Sequence, residues 1–232
     1  MESHDRQTIP NIKLTILKRE VISMRLNTTI VSIALATTAS ATIAGLPNAH
    51  TWPMEHIMIS MNGNNLEAHA NTNASNPVEM LRFDSEFYDG NASSLNDQFY
   101  TDQYGWVLDG IVDPGFGNSI WIEMTSQTAG LETYQGGRRM MIAAQSFDPI
   151  FGTNGSDLSW QWSGMMTHNW YATNDLGDYE ASYRIYIGDA NGDAISGFGE
   201  TDITLNFRAV PSPAGLAIFS IGSLFASRRK RA

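Results

Sequence analysis

Three absences narrow the reading of this 232-residue chain before any motif is considered. It has no cysteine. That excludes disulfides, thiolate catalysis, thiolate metal sites and attachment as a lipoprotein. It has no Gly-x-Ser-x-Gly elbow and no His-Glu-x-x-His helix, so two common hydrolase signatures are missing. Between residues 42 and 210 it also has no lysine, which removes Schiff-base chemistry and P-loop phosphate binding. That stretch carries five arginines against 21 acidic residues, a formal charge of −16, and so repels nucleic acid and anionic lipid. Acidic pairs such as Asp109 with Asp113, or Glu123 with Asp148, do not by themselves make a glycosidase, because the separation that defines one is spatial. A secreted hydrolase therefore ranks below a non-enzymatic protein.

The remaining basic residues sit near the two ends. Met24-Arg25 precedes Leu26–Thr29, the apolar stretch Ile30–Ala36 and the small residues Ala39-Ser40-Ala41. This is the order of a secretory signal peptide, spanning 24–41 with cleavage after Ala41 or, alternatively, Ala44. Residues 1–23 are then an upstream extension or a long n-region, with Met24 favoured as the start. At the other end, Val210-Pro211-Ser212-Pro213-Ala214 is followed by an apolar run, Gly215–Ala226, and by Ser227 and Arg228-Arg229-Lys230-Arg231. The prolines stop a preceding strand, the apolar run enters a bilayer, and the basic cluster stays on the cytoplasmic side. From Ala214 to Ser227 the run is shorter than the roughly 18–20 residues of a spanning helix.

Residues 211–232 resemble the PEP-CTERM sorting signal of exported bacterial proteins, with Ser212 in place of the central Glu. The matching positions are Val210, Pro211, Pro213, Ala214 and the basic end Arg228, Arg229, Lys230 and Arg231. The resemblance implies export through the Sec translocon, trimming by signal peptidase, and transfer to an exosortase-type membrane protease. It places the protein at the cell surface or in the extracellular matrix, held transiently or permanently by its tail. Trp160–Val210 is more loosely similar to the ends of PEP-CTERM proteins of zinc-starvation regulons.

Residues 46–210 are long enough for one domain with its own core. Short alternating runs separated by Asn-Gly, Asp-Gly and Pro-Gly turns predict an all-β fold, an antiparallel β-sandwich or jelly roll, between an N-terminal signal helix and a short C-terminal apolar helix. Predicted strands are 56–61, 66–70, 80–83, 106–109, 120–124, 139–144, 158–162, 168–172, 179–187 and 202–210, with 84–105 an irregular loop.

The first hairpin permits a finer prediction. Pairing across the Asn62–Asn65 turn so that partner numbers sum to 127 puts Ile57, Ile59, Met61, Leu66, Ala68 and Ala70 on one face. His56, Met58, Ser60, Glu67, His69 and Asn71 share the other. His56 and His69 become diagonal neighbours about 7–8 Å apart at Cα. With Glu67, and with His168 or His50 arriving from elsewhere, they form a candidate Zn²⁺ site. A second candidate, for Ca²⁺, is Asp189, Asn191, Asp193 and Glu200, which have the ligand spacing of a calcium loop but carry Ala194 where the sharp-turn glycine belongs. An Asn191-Gly192 hairpin turn accounts for the same residues more simply. Trp106, Trp121, Trp160, Trp162 and Trp170 offer a third possibility, a glycan-stacking platform, although Trp160 and Trp162 alternate as core residues do.

Overall fold

The computed structural model describes residues 54–83 and 87–211, together with the backbone of Ala44–Gly45. Residues 24–41, expected to be a signal peptide, His50, and the tail from Ser212 onward, including Pro213, Ala214 and Arg228–Arg231, lie outside the described residues. Among the described residues no helix is long and apolar enough to cross a membrane.

The protein is all-β. Its strands are β1 (Ala44–Gly45), β2 (Glu55–Asn62), β3 (Asn65–His69), β4 (Val78–Met80), β5 (Phe87–Tyr88), β6 (Phe99–Thr101), β7 (Tyr104–Leu108), β8 (Ser119–Gln127), β9 (Glu132–Gly137), β10 (Pro149–Ile150), β11 (Ser159–Trp162), β12 (Thr167–Thr173), β13 (Gly177–Gly188) and β14 (Thr201–Ala209). One seven-stranded sheet runs β10-β9-β12-β7-β2-β3, with β6 also paired to β12. A five-stranded sheet runs β11-β8-β13-β14-β4, and β1 pairs with β5 in a separate two-stranded ribbon. Both larger sheets are mixed, not purely antiparallel as expected, because β2 lies parallel to β7 and β4 parallel to β14, pairings between strands distant in sequence that no hairpin turn signals.

The alternation seen in the sequence decides which faces are buried. Ile57, Ile59, Leu66, Tyr104, Trp106 and Tyr171 of the seven-stranded sheet join Ile122, Trp162, Tyr183, Ile185, Leu205 and Phe207 of the five-stranded sheet in one cluster. Aromatic contacts cross between the sheets: Trp106 meets Tyr183 at 5.6 Å, Tyr104 meets Phe207 at 5.2 Å and Tyr171 meets Phe207 at 4.7 Å. The Tyr104 hydroxyl donates to the Asn206 carbonyl at 3.0 Å and accepts from its N–H at 3.2 Å, so one polar atom ties β7 of one sheet to β14 of the other. Burial raises the Tyr104 pKa, and the phenol stays a donor at all physiological pH. A smaller cluster of Tyr88, Leu95, Tyr100, Tyr134, Phe147, Trp170 and Ala172 covers part of the opposite face of the seven-stranded sheet.

The β2–β3 register is the one that the hydrophobic pattern selects, with Met58 opposite His69, Ile59 opposite Ala68 and Met61 opposite Leu66. The long β13–β14 hairpin also forms where expected. Other expectations also need correction. Arg139–Ala144 is not a strand but a 3-10 segment. Met140, Met141, Ala143 and Ala144 are exposed while Ile142 packs against the smaller core cluster, and the segment is tethered at each end by Arg139 and Gln145 rather than paired in a ladder. Residues 84–105 are not a plain loop. They contain β5, a 3-10 segment over Gly90–Leu95, β6 and the start of β7. Residues 132–137 and 149–150, which had no predicted strand, form β9 and β10.

Candidate metal centre

The site grows from one glycine. Gly105 of β7 is registered with His56 on the neighbouring strand β2 and with His168 on the other neighbour, β12. Three residues thus share one row of the sheet, on the face away from the main core. The outer two Cα atoms are about 10 Å apart, or two interstrand spacings. A Cβ on Gly105 would lie 2.6 Å from both Cε1 and Nε2 of His168, so the imidazole occupies the space a side chain would take. On its other flank the β12 backbone is approached more closely still, since a Cβ on Gly136 would fall 1.7 Å from the His168 carbonyl oxygen. Glycine within a strand marks such close approaches.

The His168 tautomer follows from its partner. Nδ1 lies 2.8 Å from the Asp102 carbonyl oxygen. A carbonyl only accepts, so Nδ1 carries the proton and Nε2 keeps its lone pair. His168 is 1% exposed, and burial lowers its pKa; the Asp102 hydrogen bond and charge oppose this, while Arg139 and His56 add to it. The ring is therefore neutral at pH 7, the form that binds metals. Its Nε2 is buried without a hydrogen-bond partner among the described residues, and so is Nε2 of His56. A buried polar atom left unpaired costs about 1–3 kcal/mol, so two in one row of a sheet call for an explanation.

Asp102 organises the surroundings. Its carboxylate, itself 1% exposed, takes a bidentate pair of bonds from Arg139, Nε to Oδ2 at 2.9 Å and Nη2 to Oδ1 at 2.8 Å. One residue thus fixes the His168 ring through its carbonyl and the 139–144 segment through its carboxylate. Gln145 closes the segment's far end, accepting from Trp170 Nε1 at 2.6 Å and donating to the Arg138 carbonyl at 3.2 Å. Beside His168 opens a cavity of ≈ 560 Å³ whose walls include Met54, Met140, Met141, Met165 and Met166.

The sequence-predicted ligands are only partly brought together. His56 and His69 are diagonal neighbours as expected, but His69 is exposed and its Nε2 lies 3.1 Å from Asn71 Oδ1. Glu67 sits opposite Ser60, farther along the hairpin, and accepts from Asn62 Nδ2 at 3.5 Å. Among the described residues no group of three His, Asp or Glu side chains is placed to hold a metal ion. The partner that His56 does have in its row is His168. Sequence reading overlooked Gly105 and the methionines. Met54-Glu55-His56 and Met166-Thr167-His168 both repeat Met-x-His at the start of a strand, and this was the available signal.

The calcium candidate closes on itself. Asp189 Oδ1 accepts from the N–H groups of Asn191 at 2.8 Å and Asp193 at 3.0 Å, and these backbone bonds lower its pKa. Glu200 is engaged by Arg184, with Nε at 2.9 Å from its Oε2. The indoles do not form one platform either. Trp106, Trp162 and Trp170 are buried, and Trp121 and Trp160 lie at alternate pairing positions on β8 and β11, facing opposite sides of the sheet.

No family model matches the chain, and no curated protein matches it. Among solved structures it is similar to the CooA pilin subunit from enterotoxigenic Escherichia coli, with 10% sequence identity and a TM-score of 0.20, over 70% of this chain and 92% of that one. A likeness that low carries no argument about fold or function.

Proposed function

We propose that this is an exported, non-enzymatic protein of the cell envelope whose β domain binds a metal ion through His56 and His168. The two larger sheets form a β-sandwich, a reading supported by the aromatic contacts that cross between them. Export rests on the signal-like segment 24–41. Delivery to the surface or matrix rests on the PEP-CTERM-like tail, whose partners are the Sec translocon, signal peptidase and an exosortase-type protease. β14 ends at Ala209, Val210 N–H still donates to the Met80 carbonyl at 3.1 Å, and Pro211 is exposed, which supports a tail accessible to a protease.

The observation that carries the metal reading is the pair of buried, unpartnered Nε2 atoms flanking Gly105. Imidazole nitrogens bind Zn²⁺, Cu²⁺ and Ni²⁺ at about 2.0–2.1 Å for zinc, and a neutral, tautomer-fixed ring is the ligating form. Calorimetric titration of the purified full chain with Zn²⁺ and Cu²⁺ tests the reading. Binding that disappears in His56→Gln and His168→Gln supports it. No binding by the unaltered chain, or binding indifferent to both substitutions, ends it.

A further inference from the structure

The cavity beside His168 is unusual in what lines it. The chain has eleven methionines, and five of them surround this one space. All five are substantially exposed, from Met166 at 38% to Met140 at 98%, so core packing does not explain them. They arrive from three separate places: the residue before β2, the 3-10 segment, and the turn before β12. Hydrogen bonds hold the backbone of Met165 and of the 139–144 segment. The Met165 carbonyl accepts from Trp162 Nε1 and from Thr167 Oγ1, each at 2.8 Å. The 139–144 segment is tied down by the Arg139–Asp102 and Gln145–Trp170 bonds. A flexible thioether on a rigid support can swing its sulfur toward a shared centre. At the cavity wall stands His168, 1% exposed, with its Nε2 lone pair unused.

Resting on the His56–His168 reading above, we infer that the metal is Cu(I), held by His168 Nε2, with His56 beside it, and by methionine sulfurs from the cavity. Thioethers are soft, neutral donors that select Cu(I) over Zn²⁺, Ca²⁺ or Mg²⁺. They need no deprotonation, and in a cysteine-free exported protein they are the available sulfur ligands. Charge points the same way. Arg138 and Arg139 also line the cavity, and Arg138 Nη2 lies 4.0 Å from Met165 Sδ. Arg139 is compensated by Asp102, so a monovalent ion faces one nearby guanidinium and suffers half the repulsion of a divalent one.

The test is an anaerobic titration of the full chain with Cu(I) buffered by bicinchoninate, run beside a Zn²⁺ titration. The variants are a Met→Leu set at Met54, Met140, Met141, Met165 and Met166, which preserves side-chain volume, and His168→Gln. Near-UV circular dichroism checks that each variant is folded. The expected result is Cu(I) binding that weakens by about tenfold or more in the leucine set, a loss of the size typical for disturbed metal ligation. X-ray absorption at the copper edge should show sulfur neighbours that are reduced in number in the same variant. Cu(I) binding that the folded leucine variant retains in full, or Zn²⁺ bound in preference to Cu(I), overturns the copper inference and leaves the histidine pair standing. Failure of every metal to bind removes both.

Discussion

Replacing Gly105 by alanine tests the architecture of the site without touching a ligand. The new Cβ would stand 2.6 Å from His168 Cε1 and Nε2, whereas ordinary contact begins near 3.4 Å. The ring must therefore retreat by most of an ångström. It is 1% exposed and held by its Nδ1–H bond to Asp102, so it has little room. Overpacking of this kind costs about 1–3 kcal/mol. Loss of the hydrogen bond adds about 1 kcal/mol. The alanine returns about 0.4–1 kcal/mol by restricting the unfolded chain. The net expectation is destabilisation by about 1–3 kcal/mol, which for a domain of this size lowers the melting midpoint by roughly 3–10 °C. Urea unfolding of the purified chain measures it. The informative arm is the double variant: with His168→Ala already present, the three atoms nearest the new Cβ are gone and most of its cost should vanish. A Gly105→Ala penalty that persists unchanged in the His168→Ala background would refute the packing argument, as would an outright stabilisation by the single change.

The remaining predictions address charge, pH, calcium and processing. Asp102→Ala strands a guanidinium that is only 10% exposed while leaving the backbone carbonyl that holds the His168 ring, so a loss of about 3–5 kcal/mol is expected by denaturant titration, larger than for Arg184→Ala at the more exposed pairs with Glu123 and Glu200. His168 has a lowered pKa in the folded state, so as pH falls below about 6.5 the unfolded chain takes up a proton first. Stability is then full above that value and declines on acidification until the folded ring also protonates, with a slope of at most about 1.4 kcal/mol per pH unit. That slope should be absent from a His168→Gln variant, read as the difference between the two pH–stability curves. Excess Ca²⁺ should leave the melting midpoint unchanged, because Asp189 is bonded to its own loop and Glu200 to Arg184. Intact mass of the protein recovered from its native envelope should lack residues 1–41 and end near Val210–Ala214; a chain that retains Arg228–Arg231 would show a tail that is kept.

How much was legible in advance depended on whether the information was local. The β2–β3 hairpin could be registered residue by residue because Ile57, Ile59 and Leu66 alternate cleanly with His56, Met58 and Glu67, and a slip would have exposed the apolar set. The β13–β14 hairpin was clear for the same reason. Met140-Met141-Ile142-Ala143-Ala144 misled because an apolar run gives no period; its true role, an exposed cover over the sheet, depends on Asp102 and Trp170, which are distant in sequence. The strands β9 and β10 were hidden by glycines at 136 and 137 and by Phe147 and Phe151, both held at φ 54°. The site was the least legible part. His56 and His168 are brought into one row only because β7 inserts between β2 and β12, a long-range pairing that no local pattern encodes.

The position of β14 has a mechanical consequence. The last described strand is not at the rim of its sheet: it lies between β13, with nine paired residues, and β4. Tension applied to the chain beyond Pro211 enters the sheet along the axis of β14 and loads both ladders in shear, so the bonds share the force instead of opening one after another. A cell-surface protein tethered through its C-terminus would then resist being dragged by the medium at its attachment point, and the β4–β14 contact would act as the buckle of that strap.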